Sequence, residues 1–162
     1  MRLNSLEDVF ESELKDLYSA EQQLVEALPS IASAATSKEL MTAIQSHLQE
    51  TRHHVQRLEA VFESIGMKAE GEHCDGMEGL ISEGSEMAEA EGDGDARDAA
   101  LIGAAQRVEH YEIAAYGTAR TLAQQLGHNE AADLLGQTLE EESAADEKLT
   151  EIATSSVNAA AK

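Results

Sequence analysis

The feature that most constrains this chain is an apolar stripe, stepped at four and three residues, that is broken in its middle by an acid. Leu101, Ala105, Val108, Ala115, Ala119 and Leu122 mark one face of a helix. The position that continues the stripe between Val108 and Ala115 is Glu112. Burying an unpaired carboxylate costs several kcal/mol, so Glu112 requires a cation, a proton or a donor from whatever faces it.

The same construction recurs three times. Residues 5–35 carry the stripe Phe10, Leu14, Leu17, Glu21, Leu24, Leu28, Ile31, with Ser5 and Asp8 placed as an N-terminal capping box. Pro29 is expected to kink this helix or loosen its last turns. Residues 37–65 carry Leu40, Ile44, His47, Thr51, His54, Leu58, Val61 and Ile65, begin at Thr36 or Ser37 and stop at Gly66. Glu50 lies beside that stripe. The helix bearing Glu112 spans 95–126 and ends at Gly127. The fourth, 129–152, carries Leu135, Leu139, Glu142, Asp146, Leu149 and Ala153. Residues 154–162 are expected to fray.

Four such helices in 162 residues, with aromatics at 3% and a single proline, describe one all-α domain over 1–162. Short links make 5–65 and 95–153 antiparallel hairpins. Between them, 67–94 holds six of the eleven glycines and the apolar group Met77, Leu80, Ile81, Met87. It reads as a crossover with one or two short helices, long enough to return the length of a bundle whose helices span about 40 Å. Two hairpins joined by one long crossover is the ferritin-like four-helix bundle; an up-down-up-down bundle is the alternative.

A net charge of −21 opposes nucleic acid and anionic membranes as partners. It fits a solvated acidic surface, a high-salt habitat or an affinity for cations. No apolar run approaches the roughly 18 residues of a membrane span. There is no apolar signal core, and Cys74 stands alone. A cytoplasmic location is the expectation.

The polar interruptions fall near the middle of every helix: Glu21; His47, Glu50 and His54; Glu112; Glu142. Antiparallel packing brings those middles into one layer. A lone glutamate on a stripe ordinarily packs its stem and sends its head to water. Four at one level repel one another unless cations neutralise them. Two divalent ions bridged by carboxylates and completed by imidazole meet that need. Glu50 and His53 match the Glu-x-x-His ligand motif in letters, whereas the helical phase favours His47 and His54. Glu109 shares a face with Glu112. Of Glu140, Glu141 and Glu142, the stripe selects Glu142. The fourth helix has no histidine within it, and Asp146 is the inward substitute. Tyr18 and Tyr111 are candidate donors to ligand carboxylates, and His73 with Cys74 resembles half a metal site.

Several segments carry a resemblance: LEDVF (6–10) with ELKDLYSAEQQL (13–24), HLQET (47–51), CDGMEGLI (74–81), DAALI (98–102) with AQRVEHYEIAAYGT (105–118), and TLEEE (138–142) with ADEKL (145–149). With these the chain resembles the YciF-like family of ferritin-like bacterial and archaeal proteins. The resemblance implies a ferritin-like bundle, a dinuclear metal centre, a homodimer and a link to stress responses. It favours His47 and Glu50 over His53. Gln49 stands where such proteins often carry glutamate, so position 49 is not expected to be a ligand.

The expected metal ligands are therefore Glu21, His47, Glu50, Glu109, Glu112 and Glu142, holding two divalent ions, iron foremost, with manganese or zinc as alternatives. Three functions follow from that site. It can be a di-iron or di-manganese oxidoreductase acting on peroxide or oxygen, an iron-binding or detoxifying protein without storage, or a stress-related bundle in which the metal is structural.

Overall fold

The structure is a computed structural model that describes residues 3–162. It is built of α1 (Leu6–Ala34), α2 (Lys38–Ser64), α3 (Asp75–Glu89), α4 (Gly94–Leu126) and α5 (Asn129–Ile152). A π turn (Ala153–Val157) and a short helix α6 (Asn158–Ala160) follow, and no strand occurs among the described residues.

Local chemistry sets the ends. The Ser5 hydroxyl accepts from the Asp8 N–H at 3.1 Å while the Asp8 carboxylate accepts from the Ser5 N–H at 3.2 Å. At Gly127 the backbone turns left-handed (φ +81°), which a glycine adopts without steric cost, and α4 stops there. The expected disruption at Pro29 is not a break: α1 runs on through it to Ala34. One turn on, the Ser33 hydroxyl donates to the Pro29 carbonyl at 2.9 Å.

Two apolar clusters fix the topology. One joins Phe10 and Leu14 of α1 to Leu58 and Phe62 of α2, Ala123 of α4 and Ala131 of α5. The other joins Ala32 of α1, Leu40 and Ile44 of α2, Leu101 of α4, and Leu149 and Ile152 of α5. The start of α1 and of α5 thus lie at the end of the bundle where α2 and α4 finish. Helix α1 packs on α2 and α4, and α5 packs on the same two, so every packed pair among these four helices is antiparallel. Helices α2 and α4 run parallel, which an up-down-up-down chain does not allow. The connection between them has to return the length of the bundle.

It does so over the outside of α1 and α4. Glu72 donates its N–H to the Lys15 carbonyl at 3.2 Å, and α3 then lies along both helices. The fit is close at Gly76, where a Cβ would stand 2.9 Å from the Tyr111 ring. The crossover carries one helix of 15 residues.

The tail differs from expectation. Residues beyond Ile152 continue as the π turn, Val157 is buried in the second cluster, and Ser156 reaches Glu39 at 3.4 Å. The small apolar side chain of Val157 supplies the anchor that the polar run around it conceals in the sequence.

Asp98, fully buried near the start of α4, latches the two hairpins together. Its carboxylate accepts from the N–H groups of Thr36 at 2.9 Å and Ser37 at 2.6 Å, at the turn into α2. Removing it strands two donors and leaves a small void. Asp98→Ala is expected to cost roughly 2–4 kcal/mol in urea unfolding, and Asp98→Asn, which keeps one acceptor, less.

Candidate metal centre

Between the two apolar clusters lies one polar layer. Each helix reaches it by its phase. Glu21 occupies the turn between Leu17 and Leu24 of α1, and Glu142 interrupts the buried face of α5. His47 and His54 are seven residues apart on α2, two turns, so both rings face inward. Glu109 and Glu112 sit one turn apart on α4.

The ligand atoms fall into two groups that share a residue. His47, Glu109, Glu112 and Glu142 bring donor atoms within 4.8 Å of one another, and so do Glu21, His54 and Glu142. In the first group, His47 Nε2 lies 3.4 Å from Glu109 and 3.8 Å from Glu142. In the second, His54 Nδ1 lies 2.9 Å from Glu142 and 3.3 Å from Glu21. Glu142 turns one oxygen to each histidine.

These are charge contacts rather than directed hydrogen bonds. Both oxygens of Glu112 and of Glu142, one each of Glu21 and Glu109, and both ring nitrogens of His47 are buried without a hydrogen-bond partner. Buried polar atoms are nearly always satisfied, so so many orphans in one layer mark a place built for a ligand. Oxygen and imidazole donors at this spacing suit divalent cations. Four carboxylates and two divalent ions also sum to zero charge when both imidazoles are neutral. The residues fit the dinuclear centre that the bundle implies.

The metal-free electrostatics show the same frustration. Burial pushes the carboxyls of Glu109 and Glu112 well above the usual carboxylate range, and the negative charge of Glu142 adds to it. Burial raises Glu21 as well, although His54 opposes it. For Glu142 burial is outweighed by the neighbouring histidines, which hold it below its ordinary value. Burial also disfavours a charged His54, yet Glu142 and Glu21 beside it lift its pKa to about 10. His47 is raised against burial by Glu50 and Glu142.

A supporting set surrounds the layer. Tyr116, fully buried, donates its hydroxyl to Glu21 at 2.5 Å. His54 Nε2 meets Glu141 at 2.8 Å, and Arg57 grips the same carboxylate through two nitrogens, at 2.8 and 3.0 Å. Arg57 also donates to Thr138 at 2.7 Å. Such outer partners orient a ligand imidazole and fix which nitrogen faces inward. Tyr116 and Arg57 were not singled out in the sequence. Their signal is spacing: Tyr116 is one turn beyond Glu112, and Arg57 one turn beyond His54.

Five of the six expected ligands, Glu21, His47, Glu109, Glu112 and Glu142, are brought together. Glu50 is not: its side chain is 48% exposed and lies 3.5 Å from the outer nitrogen of His47. His54 stands in the layer in its place, and His53 is exposed. Asp146 lies outside the groups, tied to Gln106 at 3.0 Å and His110 at 3.3 Å. Tyr18 donates to Glu59 and Tyr111 to Asp16, so neither serves a ligand carboxylate. His73 gathers with Asp75 and Glu78 in an exposed trio, while Cys74 is buried against Tyr111 and Asp16, so the two do not form one site.

Comparison with known proteins gives concordant results. The family described as a domain of unknown function, DUF892, matches residues 5–162. The chain is 50% identical to protein YciF of Escherichia coli strain K12 over 159 residues, covering 98% of this chain and 96% of that protein. The crystal structure of the E. coli stress protein YciF superposes with a TM-score of 0.93, covering 96% of this chain and 99% of the other. YcfI from Rhodopseudomonas palustris, 42% identical, gives 0.88 over 91% of this chain and 94% of that one. A Xanthomonas campestris protein at 22% identity gives 0.73 and shares the fold. No helix among the described residues is long and apolar enough to cross a membrane.

The shifts set a pH dependence. The His54 pKa is raised on folding from 6.5 to about 10. The stability this contributes is complete below 6.5 and is lost as pH climbs through 10. The raised carboxyls of Glu21, Glu109 and Glu112 act in the same sense, starting from lower pH. The melting temperature of chelator-treated protein is therefore expected to fall steadily between pH 6.5 and 10. Protein loaded with a divalent ion, whose ligands are already deprotonated, should not show that fall.

Proposed function

The chain belongs to the DUF892 family and is YciF-like, and from its polar layer we propose that it is a dinuclear metalloprotein performing stress-related redox chemistry on oxygen or peroxide. One observation carries the reading: Glu142 is shared by two complete donor groups. A single cation would satisfy one group and leave the orphaned atoms of the other. Two cations about a common carboxylate satisfy both.

One position would be held by His47, Glu109, Glu112 and Glu142, the other by Glu21, His54 and Glu142. Iron is the favoured metal, since a carboxylate-rich donor set with one imidazole per position suits redox-active first-row ions; manganese and zinc fit the same donors. A bound iron or manganese pair would supply electron transfer to a small oxidant. The chain's own residues do the rest. The apolar clusters cover the layer above and below. The Tyr116 hydroxyl keeps its own proton and donates it in a hydrogen bond to the Glu21 oxygen, holding that carboxylate in place. Arg57 and Glu141 keep the His54 ring aimed inward. Protons held by the raised carboxyls and histidines must leave as cations enter, so uptake releases acid. A homodimer and a cytoplasmic location belong to the same proposal, and sedimentation of the metal-loaded protein checks the first.

Elemental analysis after anaerobic Fe(II) loading should give about two ions per chain. Glu142→Ala is expected to abolish both, and Glu21→Ala to remove one. Exposure of the Fe(II) protein to oxygen or peroxide should then produce near-ultraviolet absorption of a bridged ferric pair. Metal content unchanged in Glu142→Ala, or no spectral change with either oxidant, would sink the proposal.

A further inference from the structure

Six residues supply the donors of the polar layer, and their burial is uneven. Glu21, His54, Glu112 and Glu142 are wholly buried, whereas His47 is 8% and Glu109 3% exposed. Those two line a cavity of about 640 Å³ together with exposed residues of α2 and α5, among them Ser46, Glu50 and Ala144. The donors of the layer therefore meet the outside at His47 and Glu109.

His47 stands across that boundary. Its Nε2 faces inward, 3.4 Å from Glu109 and 3.8 Å from Glu142. Its Nδ1 faces Glu50, one turn along α2 and half exposed, at 3.5 Å. Neither nitrogen has a hydrogen-bond partner. Buried polar atoms are nearly always satisfied, so an orphaned outer nitrogen beside a solvent-reaching carboxylate marks a second place fit for a ligand. Imidazole with carboxylate suits a divalent cation.

The charges around this opening carry both signs, and most are matched among themselves. Lys148 pairs with Glu151 at 3.3 Å, Arg57 holds Glu141 at 2.8 Å, and Lys38 adjoins Glu39 in sequence. Glu50 differs: among the described residues its ion-pair partner is the His47 ring and no lysine or arginine. Glu50 and Glu109 contact the same imidazole from opposite sides, so an ion going from one to the other need not cross the apolar wall of the cavity.

We propose that Glu50 is the entry carboxylate of the centre: it takes a divalent cation from solvent beside His47 and passes it to the donor group of His47 and Glu109, without staying as a ligand. The role rests on the dinuclear reading. It gives the outlying position of Glu50 a function, and it makes the His47 position the first that an incoming ion meets. A charged side chain at the mouth of a cleft acts on the rate of capture more than on final affinity, and salt screens it.

The test is stopped-flow uptake of Co(II) by the metal-free full chain, followed by the visible absorption of the protein-bound ion, with elemental analysis of the product. Glu50→Gln should slow uptake about fivefold to tenfold and still end at about two ions per chain. Raising the salt concentration should slow the wild type and narrow that gap. Glu50→Asp should fall between the two. Glu140→Gln removes the same charge from an exposed position of α5 outside the cavity and should change the rate less than about twofold. Equal rates in wild type and Glu50→Gln overturn the proposal, as does equal slowing by Glu140→Gln. Loss of an ion in Glu50→Gln overturns it too, by making Glu50 a resident ligand. A wild type that takes up no Co(II) refutes the dinuclear centre and the entry role with it. Two-ion loading at a rate indifferent to Glu50 refutes the entry role alone.

Discussion

Mutual repulsion of four buried glutamates is the constraint to which the rest of this structure answers. At the distances found here, like charges in a medium of low polarity repel by several kcal/mol. The metal-free fold tolerates them only by putting protons on the layer, on imidazoles and on carboxyls that burial has made weak acids. A hydrophobic layer would have been more stable and simpler to fold. Keeping the charges instead, and surrounding them with tyrosine, arginine and a second glutamate, is an arrangement whose gain lies in what it holds.

The apolar clusters and the crossover exist to keep that layer in register. The six donors are spread over four helices, so a slip of one turn in any helix would carry its side chains about 5 Å away. The clusters above and below pin every helix at both ends. Asp98 adds a polar latch between the two hairpins. The parallel relation of α2 and α4 gives packed neighbours among the four bundle helices opposite directions, and the strap of α3 seals the α1/α4 face. The α2/α5 face carries no such helical strap among the described residues.

Most of this was legible in the sequence because helical phase is a strong signal. The four stripes placed Glu21, His47, Thr51, His54, Glu112 and Glu142 inside, and all six are buried. Where phase and motif disagreed, phase held. With His47 inward, His53 is rotated by about 120° and His54 by only about 20°, so the Glu-x-x-His spelling at Glu50 carried no weight. Glu50 and Glu109 show what phase alone does not resolve. Each is about 60° off its stripe, yet one is exposed and the other buried. The difference lies in the neighbours. Helix α4 is flanked by α1, α3 and α5, so a wide arc of it is covered, whereas α2 packs chiefly on α1 and α5. The number of neighbours a helix has is set by the path of the crossover, which no local pattern of residues records. Tyr116 and Arg57 escaped notice for a related reason: their importance lies in partners on other helices.

Both imidazoles come from α2, one for each donor group, but the carboxylates are divided unequally. One group counts three glutamates and the other two, with Glu142 common to both. In a centre occupied as proposed, the two ions would not be equivalent. The position with three glutamates would hold its ion more tightly and fill first. The position beside Tyr116, poorer by one protein ligand, would be the one to lose its ion first, although its residues are the more deeply buried. The lopsidedness of the donor set would thus make one metal the anchor and the other the more readily released.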